Sequence, residues 1–193
     1  MARPREFDEQ DVLQRALAQF WARGYEATSV DELCQATGLS RSSLYHGFGS
    51  KRALLEATLD LYERNSTGRI AALFATVRPI QAGVEAFLNG FVEEAQSPAG
   101  RRGCFIGNCT GELAGRDPVA ARRLAGSLGR IEAALHTALA RAQAAGELDP
   151  ATDTTALARF LMAQAQSLRL VAKARPDRDV LEDIVRVALA AVH

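Results

Sequence analysis

Cysteine is scarce in this chain: Cys34, Cys104 and Cys109 are the three among 193 residues. An odd count without paired spacing excludes a disulfide framework and fits reduced thiols in a cytoplasmic protein. Histidine is equally scarce, at His46, His136 and His193. No H-E-x-x-H, Cys-x-x-Cys, phosphate loop or G-x-S-x-G occurs, so no metal, cofactor or catalytic constellation is expected and the chain does not read as an enzyme. No uncharged run approaches the ~20 residues of a membrane helix. The opening stretch MARPREFDEQ lacks the apolar core of a signal peptide, and a membrane is not an expected partner. Strand-like alternation, repeats and low-complexity tracts are missing too. Charge of one sign is also lacking, with 23 Lys and Arg against 23 Asp and Glu. Even residues 1–60 carry more acidic than basic side chains. A nucleic-acid partner would therefore have to be met by a small local patch rather than by bulk charge.

What is present is helical punctuation, and it is densest over Ser29 to Lys51. Ser29 and Glu32 have capping-box spacing. Val30, Leu33, Cys34 and Thr37 form an apolar stripe, and Gly38 stands where a left-handed residue ends a helix. Ser40 then caps a second helix expected over residues 41–48, anchored inward by Leu39, Leu44 and Phe48. Its other face offers Arg41, Ser42, Ser43, Tyr45 and His46. From Gly38 to Leu55 no Asp or Glu occurs, while Lys51 and Arg52 open the next helix. A short polar helix on three apolar anchors fits a helix-turn-helix whose second helix enters the DNA major groove. The same corner occurs in helical interaction modules with no DNA role, and that reading stands beside the first.

Gly24-Tyr25, Thr28-Ser29-Val30, Gly38-Leu39-Ser40 and Leu44-Tyr45-His46-Gly47-Phe48 with Lys51 closely resemble the tetracycline-repressor-like family of bacterial transcriptional regulators. The likeness runs over roughly Phe7 to Leu59, and Gly47 departs from the bulky or polar residue often found there. The resemblance implies an all-α homodimer with a three-helix DNA-binding head and a variable ligand-binding body.

Along the rest of the chain, 3.6-residue periodicity marks about nine helices, again all-α, with a head over residues 1–52 and a body over 53–193. The first helix is expected over residues 7–24, with Leu13, Ala16, Leu17 and Phe20 inward and Trp21 beside them or facing the body. Arg3 and Arg5 precede it, as a solvated tail or as an arm on DNA. The helix from Lys51 is expected to kink or break near Gly68, because Asn65, Ser66, Thr67 and Gly68 are weak helix formers. Further helices follow Pro79, Cys104 and Asp117-Pro118. The last two, over residues 153–174 and 177–192, carry long apolar stripes that predict a four-helix dimer interface through Leu161, Leu168, Ile184 and Leu189.

Together with the resemblance, these elements imply a ligand-responsive repressor whose expected partners are double-stranded operator DNA, a small-molecule effector and a second copy of the chain. Arg41, Ser42 and Ser43 are placed for base edges, Arg41 as a bidentate partner of guanine. Thr28, Ser29, Ser40, Tyr45, His46 and Lys51 are placed for the phosphates and the register. Phe87, Phe91, Cys104, Phe105, Asn108, His136, Met162 and Gln166 are the candidate effector pocket. Cys104 has two readings. It starts a helix after Arg101 and Arg102, a setting that favours a reactive thiolate, and the stretch Gly103-Cys104 to Asn108 resembles that of family members that sense electrophiles. Alternatively it is a small apolar wedge in the core.

Overall fold

In the computed structural model, residues 8–98 and 100–192 are described, and among them every regular element is helical. The head comprises α1 (Glu9–Arg23), α2 (Val30–Thr37) and α3 (Arg41–Phe48). α4 (Lys51–Thr76) follows, then α5 (Ile80–Ala95), a 3-10 turn (Gly100–Arg102), α6 (Phe105–Leu113), α7 (Pro118–Ala144), α8 (Thr154–Ala174) and α9 (Arg178–Leu189). The proposed arm residues Arg3 and Arg5 lie outside the described residues, as do Phe7 and His193.

Each boundary has a local cause. Asp8 accepts from the amides of Gln10 and Asp11 and starts α1, while Asp117 and Asp153 do the same for α7 and α8. Such caps occupy amides that no helix carbonyl can reach. Gly38, at φ 76°, closes α2 in the left-handed conformation that a side chain would disfavour.

α4 neither breaks nor ends at Gly68. The Ser66 hydroxyl donates to the Tyr62 carbonyl at 2.8 Å and Thr67 to that of Glu63 at 3.0 Å. Polar residues that prefer turns are thus bonded back along the helix. Ser66 and Ile70 are buried, so packing outweighs intrinsic propensity. The head and body expected to meet near residue 52 therefore share one continuous helix, which packs on α1 in the head and on α7 in the body.

Around α4 the body stacks α7 on α8, α8 on α5 and both α5 and α8 on α9. The largest fully buried side chains include Phe20, Phe105, Leu88, Leu124, Leu135 and Leu139. Burying a side chain of this class contributes about 1.5–3 kcal/mol. No helix among the described residues is long and apolar enough to cross a membrane.

Candidate functional site

The head is built from its caps. The Ser29 hydroxyl accepts from the Glu32 amide at 3.2 Å, and the Glu32 carboxylate accepts from the Ser29 amide at 2.7 Å. Ser40 accepts from the amide of Ser43 at 3.1 Å, and the two hydroxyls are 2.9 Å apart. Eight residues are too few for an isolated helix. α3 is held by Leu44, fully buried, with Leu39 and Phe48 packed beside it. The opposite face exposes Arg41, Ser42, Tyr45 and His46. Lys51 sits over the Tyr25 ring, 4.3 Å from its centroid.

Two of the residues expected on DNA are tied into local structure. Thr28 is fully buried, and its hydroxyl donates to the Gly24 carbonyl at 2.6 Å; it shapes the turn before α2 and has no surface for a phosphate. Ser43 is half-buried against the Ser40 hydroxyl and belongs to the cap. Arg41 is exposed but paired: its Nε and Nη2 donate to the two Asp31 oxygens at 2.9 and 2.8 Å. Sequence reasoning found no acid in the chain segment around Arg41. Asp31 reaches it from α2 across the corner.

In the body, three helices turn matched faces onto a cavity of about 210 Å³. Ser66, Arg69, Ile70 and Leu73 come from α4; Phe87, Gly90, Phe91 and Glu94 from α5; Met162, Ala165, Gln166 and Arg169 from α8. Each set has i, i+3, i+4, i+7 spacing, one face of a helix. Cys104, Ala86 and Ile131 complete the wall. Of the expected lining, Phe87, Phe91, Cys104, Met162 and Gln166 are there and three residues are not. Phe105 is fully buried behind the wall, its ring 5.7 Å from that of Tyr62 and 6.0 Å from that of Trp21. The Asn108 amide donates to the Arg102 carbonyl and its oxygen accepts from Lys173. His136 lies on α7 away from the cavity. The charged residues Arg69, Glu94 and Arg169 were missed by sequence reasoning, although Arg169 stands in register with Met162 and Gln166.

Cys104 caps α6, its sulfur accepting from the Gly107 amide at 3.4 Å, with the Tyr62 hydroxyl 3.7 Å away. The arginines just before it act elsewhere: Arg101 donates to the Ala95 carbonyl and Arg102 lies over the Trp21 ring. Arg169 instead shares the Tyr62 hydroxyl with the sulfur, donating to that hydroxyl at 3.0 Å. Burial pushes the Cys109 thiol up to about 12, and Cys34 is half-buried against the head core.

α6 joins cavity to head. One end carries Cys104. At the other, the Glu112 carboxylate accepts from the amides of Tyr25 and Glu26 at 2.9 and 2.7 Å. Trp21 of α1 donates to the Gly103 carbonyl at 3.2 Å and meets Tyr62 edge-on at 5.2 Å. Arg52 bonds Asp117 across the same junction.

Leu161 and Leu168, expected between subunits, are buried inside the protomer because the most apolar stripe of α8 faces α5 and α7. Ile184 and Leu189 are half-buried against the same core. The large apolar side chains exposed on α8 and α9 are Phe160, Leu170 and Val187, at 36%, 70% and 64%.

Comparison with known proteins agrees with this architecture. Residues 12–58 match the family described as bacterial regulatory proteins, tetR family, and residues 81–188 match the tetracyclin repressor-like C-terminal domain. The chain is 32% identical to the uncharacterized HTH-type transcriptional regulator YezE of Bacillus subtilis (strain 168), over 100% of both chains. It is also 32% identical to the HTH-type transcriptional repressor ComR of Escherichia coli (strain K12), over 96% of this chain and 88% of that one. Among solved structures, a cysteine-substituted TetR family transcriptional regulator, CifR, complexed with a 26-base-pair double-strand operator DNA superposes with a TM-score of 0.86, 29% identity and full coverage of both chains. A head with an exposed α3, joined through α4 and α6 to a helical body with its own cavity, and two family matches that together span head and body, place the chain in the tetracycline-repressor-like family of DNA-binding transcriptional regulators.

Proposed function

We propose that this chain is a homodimeric repressor that leaves its operator when a small molecule fills the body cavity. Arg41 and Ser42 meet base edges, while Ser29, Ser40, Tyr45, His46 and Lys51 contact phosphates and fix the register. Phe160, Leu170 and Val187 contribute the subunit contact that sets the spacing of two heads. The observation that carries the release mechanism is the position of α6, with Cys104 at the cavity wall and Glu112 holding the turn that leads into α2. A ligand that favours a different seat for α6 pulls on that turn and changes the head spacing, so the two α3 helices no longer fit successive major grooves. No observation favours an interaction module without a DNA role.

The test is fluorescence anisotropy with duplexes from the chain's own upstream region, against shuffled duplexes of equal length, across a salt series. Specific binding at least ~10³-fold tighter than to shuffled DNA, weakening with salt in proportion to the phosphates contacted, is expected. Equal affinity for both duplexes overturns the reading.

A further inference from the structure

The cavity carries two guanidiniums, Arg69 and Arg169, against one carboxylate, Glu94. These three leave one positive charge in excess at a cavity whose wall is otherwise mainly apolar, with Phe87, Phe91, Ile70, Leu73, Ile131 and Met162 its large side chains and Ser66 and Gln166 its polar ones. The two arginines differ. Arg69 is 61% exposed and bonds Glu94 at 3.3 Å at the mouth. The Arg169 side chain is 12% exposed. Its Nη1 donates to the Tyr62 hydroxyl at 3.0 Å, its guanidinium carbon lies over the Phe91 ring 4.3 Å from the centroid, and the Cys104 sulfur lies 3.7 Å from the same hydroxyl. Tyr62 and Phe91 are neutral partners. The carboxylate that approaches, Glu94, stops at 3.7 Å, beyond a hydrogen bond, and is itself 43% exposed. Withdrawing a guanidinium from water is costly unless an anion meets it with good geometry. A largely buried planar fork whose ion-pair partner sits at 3.7 Å and is itself partly exposed, facing a mainly apolar chamber, is a seat for a carboxylate delivered by a ligand.

The geometry points to a compact monocarboxylate with an apolar tail as the effector class: the carboxylate on Arg169, with Arg69 and Glu94 at the rim, and the tail among Phe87, Phe91 and Met162. Size sets the other limit. A space of about 210 Å³ lies below the roughly 300–1,000 Å³ of drug-sized sites and suits a compact ligand. The inference rests on the effector-released reading proposed above, and its test reads ligand binding to the body without DNA.

The probes are hexanoate, cyclohexanecarboxylate and phenylacetate, each against its neutral amide, titrated into the full chain by calorimetry with Trp21 emission as a second readout. Trp21 packs on Tyr62, the residue that Arg169 bonds. At least one acid is expected to bind ~10-fold or more tightly than its amide, as a charge-assisted pair requires. Arg169→Lys should retain part of that preference and Arg169→Gln should abolish it, both with the helical circular dichroism of the parent. Arg69→Gln, at the exposed rim, leaves the core intact and should reduce the preference less. Acids that bind no better than amides, or a preference that survives in Arg169→Gln, overturn the inference. Binding of acids by a chain that fails to discriminate its upstream DNA would leave the effector class standing and sink the repressor reading instead.

Discussion

Replacing Asp31 with alanine separates two ways in which Arg41 can serve the head. The Asp31 carboxylate takes Nε–H and one Nη2–H of Arg41, at 2.9 and 2.8 Å. Of the five N–H groups of a guanidinium, both on Nη1 and one on Nη2 remain. Those form the end-on edge, the pair that guanine O6 and N7 accept. Asp31 therefore buttresses Arg41 rather than blocking it. Both side chains are well exposed, at 61% and 72%, so the pair adds little to folding stability and the melting temperature of Asp31→Ala should stay within a degree or two. On DNA two effects oppose. Losing an acid from the DNA face strengthens non-specific binding and steepens the salt slope by about one unit. Freeing Arg41 costs the ordering of one long side chain at each specific contact, a factor of roughly 2–10 in affinity. The ratio of specific to non-specific affinity should fall ~3- to 10-fold or more, although total binding at low salt rises. Anisotropy with the double-mutant cycle Asp31→Ala, Arg41→Ala reads this directly, with Arg41→Ala alone costing about 10- to 100-fold at the specific site. If Asp31→Ala raises specific and non-specific affinity by the same factor, the buttress is refuted and Asp31 is only a repulsive charge.

Lys51→Ala should weaken specific and non-specific duplexes about equally and reduce the salt slope by about one unit, measured by the same anisotropy series. Leu170→Glu or Val187→Asp should give folded monomers by light scattering and lose operator binding, whereas Leu168→Glu should unfold the body; dimers from both surface variants would move the interface elsewhere. Glu63 accepts from Arg130, which holds its carboxyl below its ordinary value near 4.5, so its stabilisation is full above that pH and is lost as pH falls through the depressed value. Glu63→Gln should thus cost about 1 kcal/mol, roughly 2–4 °C, at pH 7 and less at pH 3 in thermal melts. Glu112→Gln should speed amide exchange of Tyr25 and Glu26 by mass spectrometry while leaving α6 protected, because the two head amides lose their shared carboxylate.

The head was legible because its signals are local. Ser29 with Glu32, Gly38, and Ser40 each act within four residues, so spacing in the chain is spacing in space. The boundary at residue 48 for α3 holds to the residue. Thr28 shows what spacing leaves out: its hydroxyl is satisfied locally by the Gly24 carbonyl, but its complete burial is visible only in the fold. The α8 stripe shows the limit of periodicity. It identified an apolar face without saying what covers it, and the protomer itself covers Leu161 and Leu168. The interface proposed instead uses Phe160 and Leu170, which the protomer leaves exposed.

The cavity shows the same limit with charge. A helical wheel places Arg169 with Met162 and Gln166, yet the wheel alone cannot tell a cation at the edge of a helix face from one inside a core. What decides is the third dimension: α4 contributes Tyr62 and Arg69, α5 contributes Phe91 and Glu94, and only their packing on α8 turns an arginine that would otherwise be solvated into a largely buried fork. The α6 connection has the same origin. Glu112 is a mid-sequence acid with no motif around it, and its role comes from two amides 86 and 87 residues away. Recognition of DNA is encoded by near neighbours in the chain, whereas the response to a ligand is encoded by residues that meet only after folding.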